Sequence, residues 1–211
     1  MHTITFISTV HTENGKCNAD ELYAIIEEIR PEAIFLEALD ETYSKYQKYL
    51  FSSFGVFHSK LEIRAIQKYC VNNTVVYIPV LDNGLSGAFD KKYSLVCESI
   101  EFQKLLDNFN FLASEYGFQF LNSRESIKLQ EEMRIVENCL LSENNINAMA
   151  IESIDAYENS MLRNIFCYCR DNQFETAIFM CGVAHRKSII EKMKKFNGQE
   201  KIELNWIIFE S

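Results

Sequence analysis

Apolar residues along the chain recur in two rhythms that alternate from end to end. Residues 3–9, 32–38, 74–84, 176–182 and 202–210 are short apolar runs rich in β-branched and aromatic side chains, the composition of strands buried in a sheet. Between them the spacing lengthens to helical periods. Leu22, Ile25, Ile26 and Ile29 set a helix over residues 19–30, with Asn18 and Glu21 placed as a capping box and Pro31 just past the last turn. Residues 59–71, 156–172 and 186–196 carry further helical patterns. From about Tyr93 to Met149 no strand signal occurs, only long amphipathic stretches, so this segment is expected to be a helical insertion. Strands alternating with helices predict a single α/β domain over 1–211: a mainly parallel β-sheet flanked by helices, with the insertion over the carboxyl edge.

Composition narrows the partners. A 211-residue chain with 47% hydrophobic content can bury one core and is short for two. The net charge of -9 speaks against nucleic acid, and the basic cluster from Arg186 to Lys195 is broken by Ile189, Ile190, Glu191 and Met193 at helical spacing. No basic leader precedes an apolar segment at the N-terminus, and no apolar run approaches the roughly 20 residues of a membrane helix. A cytoplasmic protein without a membrane partner is expected. Seven cysteines without a CxxC pair read as reduced, mostly buried thiols.

In a parallel sheet, ligands bind beyond the carboxyl ends of the strands, where the connecting loops leave a crevice. The polar residues at those ends are His11, Glu37, Asp82 and His185. Asp82 alone, before Asn83 and Gly84, reads as a turn former. Glu37 is different, because apolar neighbours on both sides would make its carboxylate costly to bury without a partner. His2 and His58 read as incidental, although His58 lies near Glu62 in sequence.

Five separated stretches carry a resemblance: STVHTENG, RPEAIFLEAL, SKLEIRAI followed by VVYIPVLD, ENSMLRN, and CGVAH. In order and spacing they resemble the motifs of the TraB/GumN superfamily, which includes the TIKI metalloproteases and, more distantly, the erythromycin esterases and haem-binding ChaN proteins. Matched position by position, the family's functional residues correspond to His11, Glu37, Glu62, Asp82, Arg163 and His185. Ser8 departs from the pattern, which has glycine there. The resemblance implies a TIKI/erythromycin esterase/ChaN-like fold and hydrolysis of an amide or ester bond in a small-molecule or peptide substrate.

The chemistry of the residues agrees with that expectation. His185 falls at the start of a helix, whose dipole favours the neutral imidazole, and Gly182 permits a sharp bend or a close approach. Two neutral histidines and one carboxylate are a common ligand set for a catalytic divalent ion such as Zn, Mn or Co. His11, His185 and either Glu37 or Glu62 could supply it, and the remaining carboxylate could take a proton from water. The assignment adopted is His11, His185 and Glu37 as metal ligands, with Glu62, Arg163 and Asp82 as catalytic residues. Arg163 would hold a substrate carboxylate or an oxyanion; without the resemblance it reads as an ion-pairing arginine on a helix surface. A metal-free variant would use a histidine as general base. The competing class is a non-catalytic ligand-binding or regulatory protein that holds haem or a peptide signal. Two geometric expectations and one on stability follow. His11 and His185 should face each other across neighbouring strands, Glu37 and Glu62 should share a cavity, and alanine at either histidine should leave stability nearly unchanged.

Overall fold

The computed structural model describes residues 1–39, 60–84, 87–141 and 145–210, so His58 lies outside the described residues. Strands and helices alternate: β1 (Thr3–Thr9), α1 (Ala19–Ile29), β2 (Ala33–Leu39), α2 (Leu61–Cys70), β3 (Val76–Leu81), then four helices in succession. These are α3 (Gly87–Val96), α4 (Ile100–Leu121), α5 (Arg124–Leu140) and α6 (Asn145–Asp171). The chain returns to the sheet with β4 (Thr176–Gly182), makes a 3-10 turn at Val183–His185, and ends with α7 (Arg186–Gln199) and β5 (Asn205–Ile208).

The five strands form one sheet in the order β3-β2-β4-β1-β5, and every pairing is parallel. The first strand and the strand before the last helix are therefore neighbours near the centre. Alternation along the strands separates two cores. Ile7, Ile34, Leu36, Ile178 and Met180 face α1, α2, α4 and α5, while Phe6, Phe35, Val80 and Phe179 face α6 and α7. Strands covered on both sides read as continuous apolar runs, because each face must bury its side chains. Each such side chain contributes about 1.5–3 kcal/mol relative to exposure.

Local chemistry explains where elements begin and end. Asn18 Oδ1 accepts from the backbone N–H groups of Asp20 and Glu21, both at 3.0 Å, which starts α1 as its sequence predicts. The reciprocal half of the capping box is absent. Glu21 instead accepts from the Phe118 N–H at 3.1 and 3.2 Å, where Gly117 (φ 57, ψ -138) breaks the course of α4. The expected strand over 202–210 shortens to four residues because the Asn197 side chain takes both backbone groups of Leu204, so pairing with β1 starts only at Asn205. The insertion has no boundary near Met149. No glycine or proline interrupts residues 145–171, and α6 runs unbroken for 27 residues from the insertion back onto the sheet. Among the described residues no helix is long and apolar enough to cross a membrane, and none of the seven cysteines is in a disulfide.

Candidate functional site

β1 and β4 end in register, with Thr9 opposite Gly182. His11 follows two residues past the first, and His185 three past the second. The His11 loop is pinned from both sides: Leu61 of α2 donates its N–H to the His11 carbonyl at 3.0 Å, and Lys16 donates to the Ser114 carbonyl of α4 at 2.8 Å. His11 Nδ1 lies 2.8 Å from Glu62 Oε1, which also accepts from the Thr9 hydroxyl at 2.8 Å. Glu62 is 2% exposed, and its Oε2 has no hydrogen-bond partner among the described residues. Its carboxylate thus sits behind His11, which is itself about half exposed. Glu62, expected as a separate proton acceptor, is thus bonded directly to the His11 imidazole.

The other histidine is held in the same way from the opposite face of the sheet. His185, 9% exposed, places Nδ1 2.8 Å from Glu158 Oε1 of α6. Glu158 Oε2 accepts from Ser188 Oγ at 2.5 Å and lies 3.1 Å from Lys192 Nζ, which pairs in turn with Asp155 at 2.6 Å. The Tyr157 ring stacks on the His185 imidazole at 5.5 Å between centroids. Its hydroxyl donates to Glu37 Oε1 at 2.6 Å, and the Gly182 N–H donates to Glu37 Oε2 at 2.6 Å. Glu37 Oε1 is then 3.8 Å from His185 Nε2. Gly182 has ordinary extended backbone (φ -56, ψ 139), and what its lack of a side chain supplies is room: a Cβ would meet Glu37 Oε2 at 3.4 Å.

Charge ties the two halves together. The hydrogen bond to Glu62 raises the His11 pKa; burial opposes this, and the more distant charge of Glu37 adds to it. Burial pushes the Glu158 carboxyl up, but the bonds from His185 and Ser188 and the charge of Lys192 outweigh it and leave the pKa lowered. Burial, then the Glu37 charge, drive the Tyr157 phenol far up, so it remains a donor. The fully buried Cys181 thiol is raised by burial first and then by Glu37, Glu158 and Glu62. Glu37 and Glu62 approach the edge from opposite sheet faces, one beside Gly182 and the other beside its register partner Thr9.

Asp82 and Arg163 lie elsewhere. The Arg163 guanidinium pairs with Asp82, which also accepts from Asn164 Nδ2 at 2.7 Å, and both side chains are more than two-fifths exposed. Among the described residues neither contacts His11 or His185. Their catalytic assignment is not supported by contact with the imidazoles; the pair satisfies itself at the end of β3, as the residues read without the resemblance suggest. The residues that sequence reasoning missed are Glu158 and Tyr157. The signal was present: Glu158 shares a helical stripe with Met161, Leu162 and Ile165, all fully buried. A carboxylate on that stripe demands a partner as much as Glu37 does.

The donor chemistry suits a divalent ion. A carboxylate at Nδ1 draws the ring proton to that nitrogen and leaves Nε2 as the electron-pair donor, the usual support for a metal-bound histidine. Among the described residues no three His, Cys, Asp or Glu side chains already converge as a cage. Comparison with protein-family models gives no match, and comparisons with curated proteins and with solved structures give none either.

Proposed function

We propose that the chain is a hydrolase-like protein of the TraB/GumN type, in which two strand-end histidines act together in metal-assisted cleavage of an amide or ester bond. The observation that carries this reading is the duplicated unit: two imidazoles at adjacent strand ends, each with Nδ1 on a buried carboxylate. A structural histidine needs no such pair, and here two of them follow strand ends that lie in register, Thr9 opposite Gly182. His11, His185 and Glu37 would hold the ion. When bound, it would lower the pKa of a water and polarise the scissile carbonyl.

The remaining work belongs to side chains. Glu62 fixes the ring of His11 through Nδ1, which would leave Nε2 for the ion; in the metal-free variant that same nitrogen would instead take a proton from water and return it to the leaving group. Glu158 does the same for the orientation of His185, with Lys192 balancing its charge. Tyr157 and the Gly182 N–H hold Glu37 beside His185. The test uses tag-free protein, metal analysis, and hydrolysis of p-nitrophenyl esters and a mixed peptide library. Near-stoichiometric divalent metal and a rate abolished by His11→Ala and Glu37→Gln are expected. A chain that binds no added metal and leaves every substrate intact, or a rate that survives His11→Ala, overturns the reading. Tightly bound haem or a captured peptide would place the chain in the ligand-binding class instead.

A further inference from the structure

Among the described residues Arg186 is the largest side chain that is fully buried, at 2% exposure, and the functional reading leaves it unused. Its Nη1 donates to Ser8 Oγ at 3.2 Å and to Asn122 Oδ1 at 2.8 Å, and its Nη2 donates to the carbonyls of Asn122 and Phe209 at 2.8 and 2.9 Å. The guanidinium lies 5.7 Å from the centroid of the Phe6 ring, and its Nε has no partner among the described residues. None of these partners is a carboxylate. Burial lowers the Arg186 pKa, with the charge of Glu210 acting against that. A cation sealed among neutral groups is costly to bury, and packing alone would be served by an apolar residue of similar volume.

The place of this side chain gives it a use. Arg186 directly follows His185, and Ser8 precedes His11 by three residues. The pairing of β1 with β5 stops at Phe6 and Ile208, so on that side the backbone of Ser8 has no strand beside it. Asn122 fills the gap: its Oδ1 accepts from the Ser8 N–H at 2.8 Å, and its Nδ2 donates to the Ser8 carbonyl at 3.2 Å, as a neighbouring strand would. Arg186 then grips Asn122 by both its side-chain and backbone oxygens. Ser8 stands where the resemblance calls for glycine, and a glycine would leave Nη1 with one acceptor fewer.

We infer that Arg186 is a positioning residue, which through Ser8 and Asn122 locks the ends of β1 and β4 and so fixes His11 relative to His185. This rests on the reading that the two imidazoles act together, but its test needs no turnover. The ring signals of carbon-13-labelled histidine are recorded at one fixed pH for wild type, Arg186→Met, Asn122→Ala and Ser8→Ala, with a thermal midpoint for each. The revealing ring is that of His11, which Arg186 does not touch. Displaced His11 signals in a folded Arg186→Met protein, and a smaller displacement in Ser8→Ala, are expected. A lowered midpoint with the His11 ring at its wild-type position would make Arg186 a structural residue only and overturn the inference. If Arg186→Met does not fold, Asn122→Ala and Ser8→Ala are read by the same criterion, and an unmoved His11 ring in them overturns it as well. Displaced rings in a protein that cleaves no substrate would keep the positioning role and remove the hydrolase reading.

Discussion

At the scale of single residues, each imidazole is defined by the carboxylate behind it. Glu158→Gln keeps the shape of the His185 partner and removes its charge, so metal affinity or hydrolytic rate should fall about 10–100-fold, measurable by cobalt titration or initial rates. The two histidines differ in burial, and alanine should expose the difference. His11 is half exposed, and its loss should move stability by only about 0.5 kcal/mol. His185 is buried, so His185→Ala leaves the buried Glu158 without its imidazole partner; a loss of about 1–3 kcal/mol on thermal denaturation is expected, larger than the sequence alone leads one to expect. The pH dependence has a definite sign. The His11 pKa is raised in the folded protein above its ordinary 6.5, so its ion pair with Glu62 stabilises fully below about pH 6.5 and fades as pH rises through the folded value. Solvent screening of a half-exposed ring keeps the effect small. The stability gap between wild type and His11→Gln should narrow as pH rises above about 6.5 in denaturant titrations.

At the scale of elements, the insertion grips the carboxyl ends of β1 and β4 and the segments that follow them. α4 holds the His11 loop through Ser114, and α5 holds the His185 turn, where Arg134 donates to the Ala184 carbonyl and Lys187 pairs with Glu131. The turn between these two helices carries Asn122, so the hairpin meets both histidine-bearing segments and the strand end between them. Its shape depends on Gly117, whose backbone (φ 57, ψ -138) is open essentially to glycine alone, with the Glu21 carboxylate packed where a side chain would go. Gly117→Ala should therefore destabilise the fold by about 1–3 kcal/mol. Adding Glu21→Ala should relieve the collision and leave the backbone strain, a partial rescue readable in a double-mutant cycle. The helical character of this region was legible in its spacing. Its docking was not, because Glu21 and Gly117 are far apart in the chain and only the folded molecule brings them together.

At the scale of the whole molecule, a central pair of strands carries the site, and its stability should be highest there. Amide exchange should be slowest in β4 and β1, each paired on both sides, and faster in β3 and the four-residue β5 at the edges; equal protection across the sheet would contradict the order β3-β2-β4-β1-β5. Much of this architecture was written in local pattern. Apolar runs buried on two faces, helical stripes and one good N-cap depend on neighbours in sequence, so β1 and β4 occur over the residues their composition marks. Glu37 was also legible, since a carboxylate inside a strand has to find partners, and it finds Tyr157 and the Gly182 N–H. The sequence by itself could therefore determine which segments become strands and which polar residues stand at their ends. What those residues touch was decided by tertiary structure alone. Glu62 reaches His11 from one face of the sheet, Glu158 reaches His185 from the other, and Arg163 turns to Asp82, because hydrogen-bond partners are chosen by distance in space, which periodicity along a chain does not encode.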